Sequence, residues 1–578
     1  MVPAQTAVAP DTSERPESLS PSRRTVLDRV LRNWPEKAAV LAGTAAVALQ
    51  ASRLGRWIVD DAGVTFAYAR SVATGHGPVQ QPGATPVEGY SDPSWLALLV
   101  IGRWLGVFDH GSWFGIADVV LYPKLLALAC VFGMLVAVNL AARAVLPRRA
   151  WAVTALVGGL FAVNMSLVAW CFSGLENPLY GLTLAALASL MVCATASGTL
   201  TTRRTASCAG LLALLAALTR PDGLIYLAVF PVTVVFLTER TRWRESVKAV
   251  AISCLTFAVP FGAFLLWRHA EFGGWVSNTA VAKSQSTPTV LDLNHGQDLL
   301  HFIGWPAALV CTACIGMACG LGERQRRALV PVLVPLGLAI VAFAVLIPDW
   351  MPLYRFATPV WVLGSFALAL SVVSLWECSR IRMRGVIACA LALSLAFGYL
   401  ADRKQFHRFL RYPTVPLCEV VAIDGPPFNQ YARILRVTDG SLLTPDLGGT
   451  LLTSDLRVYD LAGLTDPAIA DDYEHGKPAA LRTYVFTVAR PTFIHVAGSW
   501  IDTSGLRSSV LLANGYLPLD NDGGASGNWV RAADVTDPGL LAQARALTAS
   551  TILPAETWQQ DHGRSGCGAT LSPGLTLP

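Results

Sequence analysis

The sequence predicts a polytopic α-helical membrane protein with a C-terminal soluble α/β domain outside the membrane, on three observations. Of its 578 residues, 53% are hydrophobic and only 14% charged, with a mean hydropathy of +0.48. A soluble chain usually carries about 25% charge. Uncharged apolar runs recur up to residue 400, where they give way to short or alternating runs separated by Gly, Pro and Asp. Basic residues sit in short clusters between the apolar runs, as topology signals do. The net charge of +5 is spread over those clusters, so no nucleic-acid partner is indicated.

Residues 1–37 are polar, rich in Pro and Ser, then basic at Arg23, Arg24, Arg29, Arg32 and Lys37, the composition of a disordered cytoplasmic tail. The run 38–59 is long enough to stay as an uncleaved anchor, although Leu49-Gln-Ala51 faintly resembles a cleavage site. It is expected to end by presenting Asp60 and Asp61 to water. An amphipathic helix should follow, with Val64, Ala67, Tyr68 and Val72 on one face and Gly75 at its C-terminal cap. The apolar piece 94–107 is short for a span and contains Arg103, so it is placed on the outer surface within an outer loop, 60–116.

Further spans are expected at 117–142, 151–172, 178–197, 207–219, 223–238, 249–267, 298–321, 328–347, 357–376 and 385–400. Letting Arg143, Arg148–Arg149, Arg203–Arg204, Arg240–Lys248, Arg324–Arg327 and Arg380–Arg384 all lie inside gives about 11 crossings. The membrane domain is then 38–400, and 401–578 forms the outer domain. Runs such as Arg457-Val-Tyr, Tyr484-Val-Phe-Thr-Val, Thr492-Phe-Ile-His-Val-Ala and Ser509-Val-Leu-Leu-Ala give that domain its mixed α/β character. Ten of the twelve cysteines lie in the apolar part and read as small core residues. Cys418 and Cys567 lie in the outer domain, where an oxidising compartment would allow a disulfide.

This topology gathers the unusual polar groups on one side: Asp60, Asp61, Glu88, Glu176, Arg220, Asp222, Lys283, Asp349 and Arg355. Asp60 and Asp61 are candidate catalytic carboxylates; alternatively Asp60 caps a helix. Arg220 and Asp222 interrupt a long apolar stretch, so they must pair or line water. A salt bridge in the Thr219–Gly223 turn is the plainer reading. Arg355 and Lys283 are equally open to interfacial anchoring, and Glu88 to stabilising a turn. His76 and His475 sit in glycine-containing turns. There is no clustered His/Cys metal spacing, no GxxxxGK[ST], no GxGxxG on a strand–helix unit and no GxSxG. Nucleotide, nicotinamide and serine-hydrolase chemistry therefore have no support. Outward carboxylates and cations at a bilayer surface suit glycosyl transfer from a lipid-linked phosphosugar. A carboxylate takes the acceptor proton, and Arg and Lys neutralise the departing phosphate.

The motifs Asp60-Asp-Ala…Phe66-Ala-Tyr-Ala-Arg70, Gly75-His-Gly-Pro and Val87-Glu-Gly-Tyr-Ser91 resemble the first outer loop of GT-C glycosyltransferases. Ser173-Gly-Leu-Glu176, Arg220-Pro-Asp222, Asn278-Thr-Ala-Val-Ala-Lys283, Asp349-Trp-Met-Pro…Arg355-Phe, Asp460-Leu-Ala-Gly-Leu-Thr-Asp466 and His475-Gly-Lys-Pro478 follow in the same order. The chain is most similar in these to the actinobacterial terminal arabinofuranosyltransferase family. That resemblance implies a plasma-membrane, multi-pass enzyme with its active site outside and Asp60 and Asp61 as catalytic residues. It implies a decaprenyl-phospho-arabinofuranose donor and a cell-envelope arabinan acceptor. Arg220, Lys283 and Arg355 would hold the donor phosphate; Glu88, Tyr90, Glu176, Asp222, Asn278, Asp349 and His475 would contact sugar. No cofactor is required, and no ligand spacing supports a divalent cation. The same architecture would serve a polyprenyl-phosphomannose donor, and a lipid-linked-sugar transporter is the non-enzymatic alternative.

Overall fold

The computed structural model describes residues 34–283, 295–347 and 349–554. Five helices are long and apolar enough to cross a membrane: Asp118–Val145, Asn177–Ala196, Arg240–Phe272, Glu323–Val345 and Arg355–Cys378. Two bent pairs raise the number to seven if each is one span. Helix Ala150–Val163 meets Met165–Cys171 at 80°, and Gly296–Ile303 meets Trp305–Gly320 at 99°. Each bend has a local cause. Asn164 leaves helical geometry and its side chain accepts the Leu167 N–H, capping the second piece. Gly304 takes φ +85°, which a side chain would resist. Trp34–Ala51, Arg203–Thr219, Val229–Leu237 and Ile381–Arg411 are also helical without meeting that test.

Several boundaries differ from the expected ones. The first helix stops at Ala51, followed by a 3-10 turn at Ser52–Leu54 and an extended bridge from Val59 to Pro416. Asp60 therefore begins a new helix, Asp60–Ala73, rather than ending a membrane helix. The segment expected at 223–238 begins as 3-10 turns, Pro221–Ala228, before Val229–Leu237. The last apolar helix runs on to Arg411. Helix Pro93–Trp104 spans about 18 Å, too short to cross.

The polar groups sort by end. At one end Arg143 pairs with Glu36, Arg149 with Glu377, and Arg324 and Arg327 donate to the carbonyls of Val145 and Leu237. At the other end the acidic loops interlock. Val59 donates to Ser173, Trp95 to Gly174, Ser166 to Leu353 and Ser94 to Leu218. A short hairpin, β1 (Ser112–Trp113) and β2 (Ile116–Ala117), closes the first of these loops.

Residues 417–554 add a five-stranded sheet: β3 (Ser441–Thr444), β4 (Arg457–Asp460), β5 (Phe493–His495), β6 (Tyr516–Pro518) and β7 (Asn528–Arg531), in the order β4-β3-β5-β7-β6. β4, β3 and β5 are parallel, while β7 is antiparallel to β5 and β6. Register pairs Leu442 with Phe493 and Leu443 with Ile494, sending successive side chains to opposite faces. One face packs with Phe428, Tyr431 and Val530, the other with Leu461, Leu511 and Trp529. The runs at 484 and 509 are helical, not extended: a π-turn at Val485–Ala489 and helix Ser508–Ala513. A third core is continuous from the membrane helices (Leu135, Phe161, Val362) into Leu417, Leu447, Leu451 and Leu452. Cys418 is disulfide-bonded; Cys567 lies outside the described residues.

Candidate functional site

Asp60 and Asp61 open the same helix, but adjacent positions point about 100° apart. They meet different surroundings. The Asp60 carboxylate, 5% exposed, accepts the Gly448 N–H at 2.9 Å and the Gly449 N–H at 2.7 Å. Its own N–H donates to Val415. Burial and the nearby Asp446 push its pKa well up, against the pull of the two glycine N–H groups. Asp60 thus clamps the start of the helix to the sheet-bearing region. Gly448 is needed for this approach, because a Cβ there would lie 1.9 Å from the Asp60 carbonyl oxygen.

Asp61 faces the other way. Asp61 is half-buried, and among the described residues its carboxylate has no hydrogen-bond or ion-pair partner. Burial raises its pKa, Arg355 and Lys283 pull it down, and Asp349 and Glu176 push it up; the net direction is upward. These neighbours come from loops far apart in sequence. Arg355 pairs with Asp349 at 2.7 Å, and its carbonyl accepts Asn177 Nδ2. Arg220 bridges Glu176 (2.9 Å) and Asp222 (2.8 Å), and Tyr180 donates to Asp222. Phe356 lies under the guanidinium groups of both Arg220, at 4.5 Å, and Arg355, at 4.9 Å. Lys283 ends the short helix Asn278–Ala282 and makes no ion pair among the described residues. The residue as a whole is exposed, but the protein crowded around its ammonium, and then Arg355, lower its pKa, with Asp61 and Asp349 opposing.

The structure therefore brings Asp61, Glu176, Arg220, Asp222, Lys283, Asp349 and Arg355 together. The Arg220–Asp222 salt bridge of the turn is present, and Glu176 joins it. The remaining candidates lie elsewhere. Glu88 is buried against Arg268, with the Arg268 Nη2–Oε1 hydrogen bond at 3.0 Å, and its carbonyl accepts the Asn278 N–H. Asn278 Nδ2 donates to the carbonyls of Gly463 and Leu464, so it docks the helix Asn278–Ala282 on the sheet-bearing region. Tyr90 is buried edge-on against Tyr68. His475 is exposed and tied to Asp471 at the end of its own helix, as its turn sequence suggested. His76 is bonded to Thr74 in an exposed turn.

Asp92 is the residue that the sequence reading missed. It is buried, accepts from Thr65 Oγ1 at 3.2 Å, and stands within electrostatic reach of Glu176 and Arg220. Burial first, then Glu176, raise its pKa, to about 8. Its signal was Ser91-Asp-Pro93, which reads as an ordinary helix start. Next to Asp349 and Arg355 lies a cavity of about 600 Å³. Phe343, Leu346, Met351 and Phe409 form apolar walls, and exposed Arg408 lines it too.

No family model matches the chain, and no curated protein does either. Distantly similar solved structures exist. The archaeal oligosaccharyltransferase AglB from Archaeoglobus fulgidus, in complex with an inhibitory peptide and a dolichol-phosphate, is 10% identical with a TM-score of 0.48, over 80% of this chain and 69% of that one. ArnT from Cupriavidus metallidurans bound to undecaprenyl phosphate is 14% identical with a TM-score of 0.45, over 82% and 88%. The arabinofuranosyltransferase AftD from Mycobacteria is 14% identical with a TM-score of 0.45, over 79% of this chain and 36% of that one.

Proposed function

We propose that the chain is a membrane glycosyltransferase of GT-C type that moves a sugar, arabinofuranose first among candidates, from a polyprenyl-phosphate donor to a cell-envelope polysaccharide on the outer face of the membrane. One observation carries the reading. A half-buried carboxylate, Asp61, and an exposed ammonium, Lys283, neither of them ion-paired among the described residues, stand within electrostatic reach of each other and of Arg355, which lines a largely apolar cavity. The cavity walls suit a prenyl chain, and Lys283, Arg355 and Arg408 suit its phosphate. By the positive-inside rule the end with the basic clusters is cytoplasmic, which puts Asp61 outside.

In this reading Asp61 takes the acceptor hydroxyl proton as the new bond to the anomeric carbon forms. The bond from that carbon to the phosphate oxygen breaks, and Lys283 and Arg355 hold the departing phosphate. Glu176 and Asp222 fix Arg220, and Asp349 fixes Arg355. Asp60 positions the helix and does not touch the sugar.

The test is product analysis with purified protein, labelled polyprenyl-phospho-arabinofuranose, the mannose analogue and a short arabinan. Transfer from the arabinose donor, lost in Asp61→Asn with the fold retained, is the expected result. Transfer from the mannose donor alone would replace the sugar. Absence of transfer from either, or an unimpaired Asp61→Asn, would overturn the reading.

A further inference from the structure

The sequence offers no metal spacing, but the fold assembles a donor set that linear spacing hides. Asp424 precedes helix Gly425–Leu435, Asp446 follows β3 by two residues, and His495 ends β5. One donor atom from each lies within 4.8 Å of the others. β3 and β5 are parallel neighbours, so the cluster sits at the carboxyl edge of the parallel part of the sheet. That edge is where open α/β sheets hold their ligands.

A second observation points to a ligand. Asp424 is 1% exposed, and its Oδ2 accepts from Thr444 and Thr450. Among the described residues its Oδ1 is buried without a hydrogen-bond partner, and it lies 3.8 Å from His495 Nδ1, the distance of a long ion pair rather than a hydrogen bond. His495 Nδ1 is held by Asn528 Oδ1 at 2.6 Å, the kind of supporting contact that orients a ligating imidazole. A buried carboxylate oxygen left without a hydrogen bond is costly as a purely structural feature.

From this arrangement we infer that Asp424, Asp446 and His495 bind one divalent cation of the class that accepts mixed carboxylate and imidazole ligands, such as Mn²⁺ or Zn²⁺. The cation braces the turn 446–449. Gly448 and Gly449 in that turn hold Asp60, so the site supports the docking seam and takes no part in sugar transfer. The inference stands independently of the proposed reaction.

The test uses full-length protein in detergent, stripped with chelator and dialysed against Mn²⁺ or Zn²⁺ alone, with bound metal counted by elemental analysis. About one equivalent is expected, with a rise in melting temperature. His495→Gln and Asp446→Asn should each weaken binding by about tenfold or more. Asp446 is partly exposed, so its variant remains informative if Asp424→Asn fails to fold. Substoichiometric metal in the wild type, or unchanged binding in both variants, would overturn the assignment.

Discussion

Asp60 and Asp61 differ in what their oxygens touch, and this gives the sharpest prediction. Asp61→Asn should lower transfer by about 10²–10⁴-fold with an unchanged melting temperature. Asp60→Asn should do the reverse, losing stability at the seam while keeping most of its turnover once folded. Equal effects on rate would remove the division of labour. Because the Asp61 pKa is raised, the acid limb of kcat/KM should lie above the ordinary carboxylate range. The rate then falls as pH drops through that limb. Lys283→Gln removes a charge that pulls this pKa down, so the limb should move to higher pH while donor affinity falls. Asp92 bears on stability. Its folded value of about 8 is raised, so its contribution is full below the unfolded value and is lost as pH rises through 8. Asp92→Asn should flatten the melting temperature between pH 5 and pH 8.

At the scale of elements, two helices meet through glycine. A Cβ added to Gly158 would come 2.6 Å from the Gly43 Cα, so helices Trp34–Ala51 and Ala150–Val163 touch backbone to backbone. Gly158→Leu should cost about 1–3 kcal/mol by overpacking, read as a lower melting temperature in detergent. Helix existence was legible from apolar runs, since composition and length decide it. Helix ends were not, because tertiary contacts set them. The bridge from Val59 to Pro416 stops the first segment early, and nothing local to residues 52–59 announces a partner more than 350 positions away. The runs at 484 and 509 were ambiguous for another reason. Short apolar stretches fit either period.

Over the whole molecule, the grouping of Asp61 with Glu176, Arg220, Lys283, Asp349 and Arg355 followed from one consistent topology. Each motif alone had an equally good structural explanation, and several residues satisfy both. The Arg220 bridge is a salt bridge and also part of the candidate site. What stayed illegible were groups whose meaning depends on a distant neighbour: Asp92 under Glu176, and the Asp424–Asp446–His495 set at a sheet edge. Arg220→Gln would leave Glu176 and Asp222 buried without a cation, a loss of about 3–5 kcal/mol. It should reduce the yield of folded protein rather than only its rate.

The apolar core running from the helices into Leu417, Leu447, Leu451 and Leu452 has a practical corollary. A water-soluble fragment cut near residue 412 would carry away half of a shared interior and expose those leucines to solvent. It would be expected to precipitate or to need detergent, even though the cut leaves every strand intact. Anyone preparing the sheet-bearing half for study should therefore graft the Asp60–Ala73 segment back onto it.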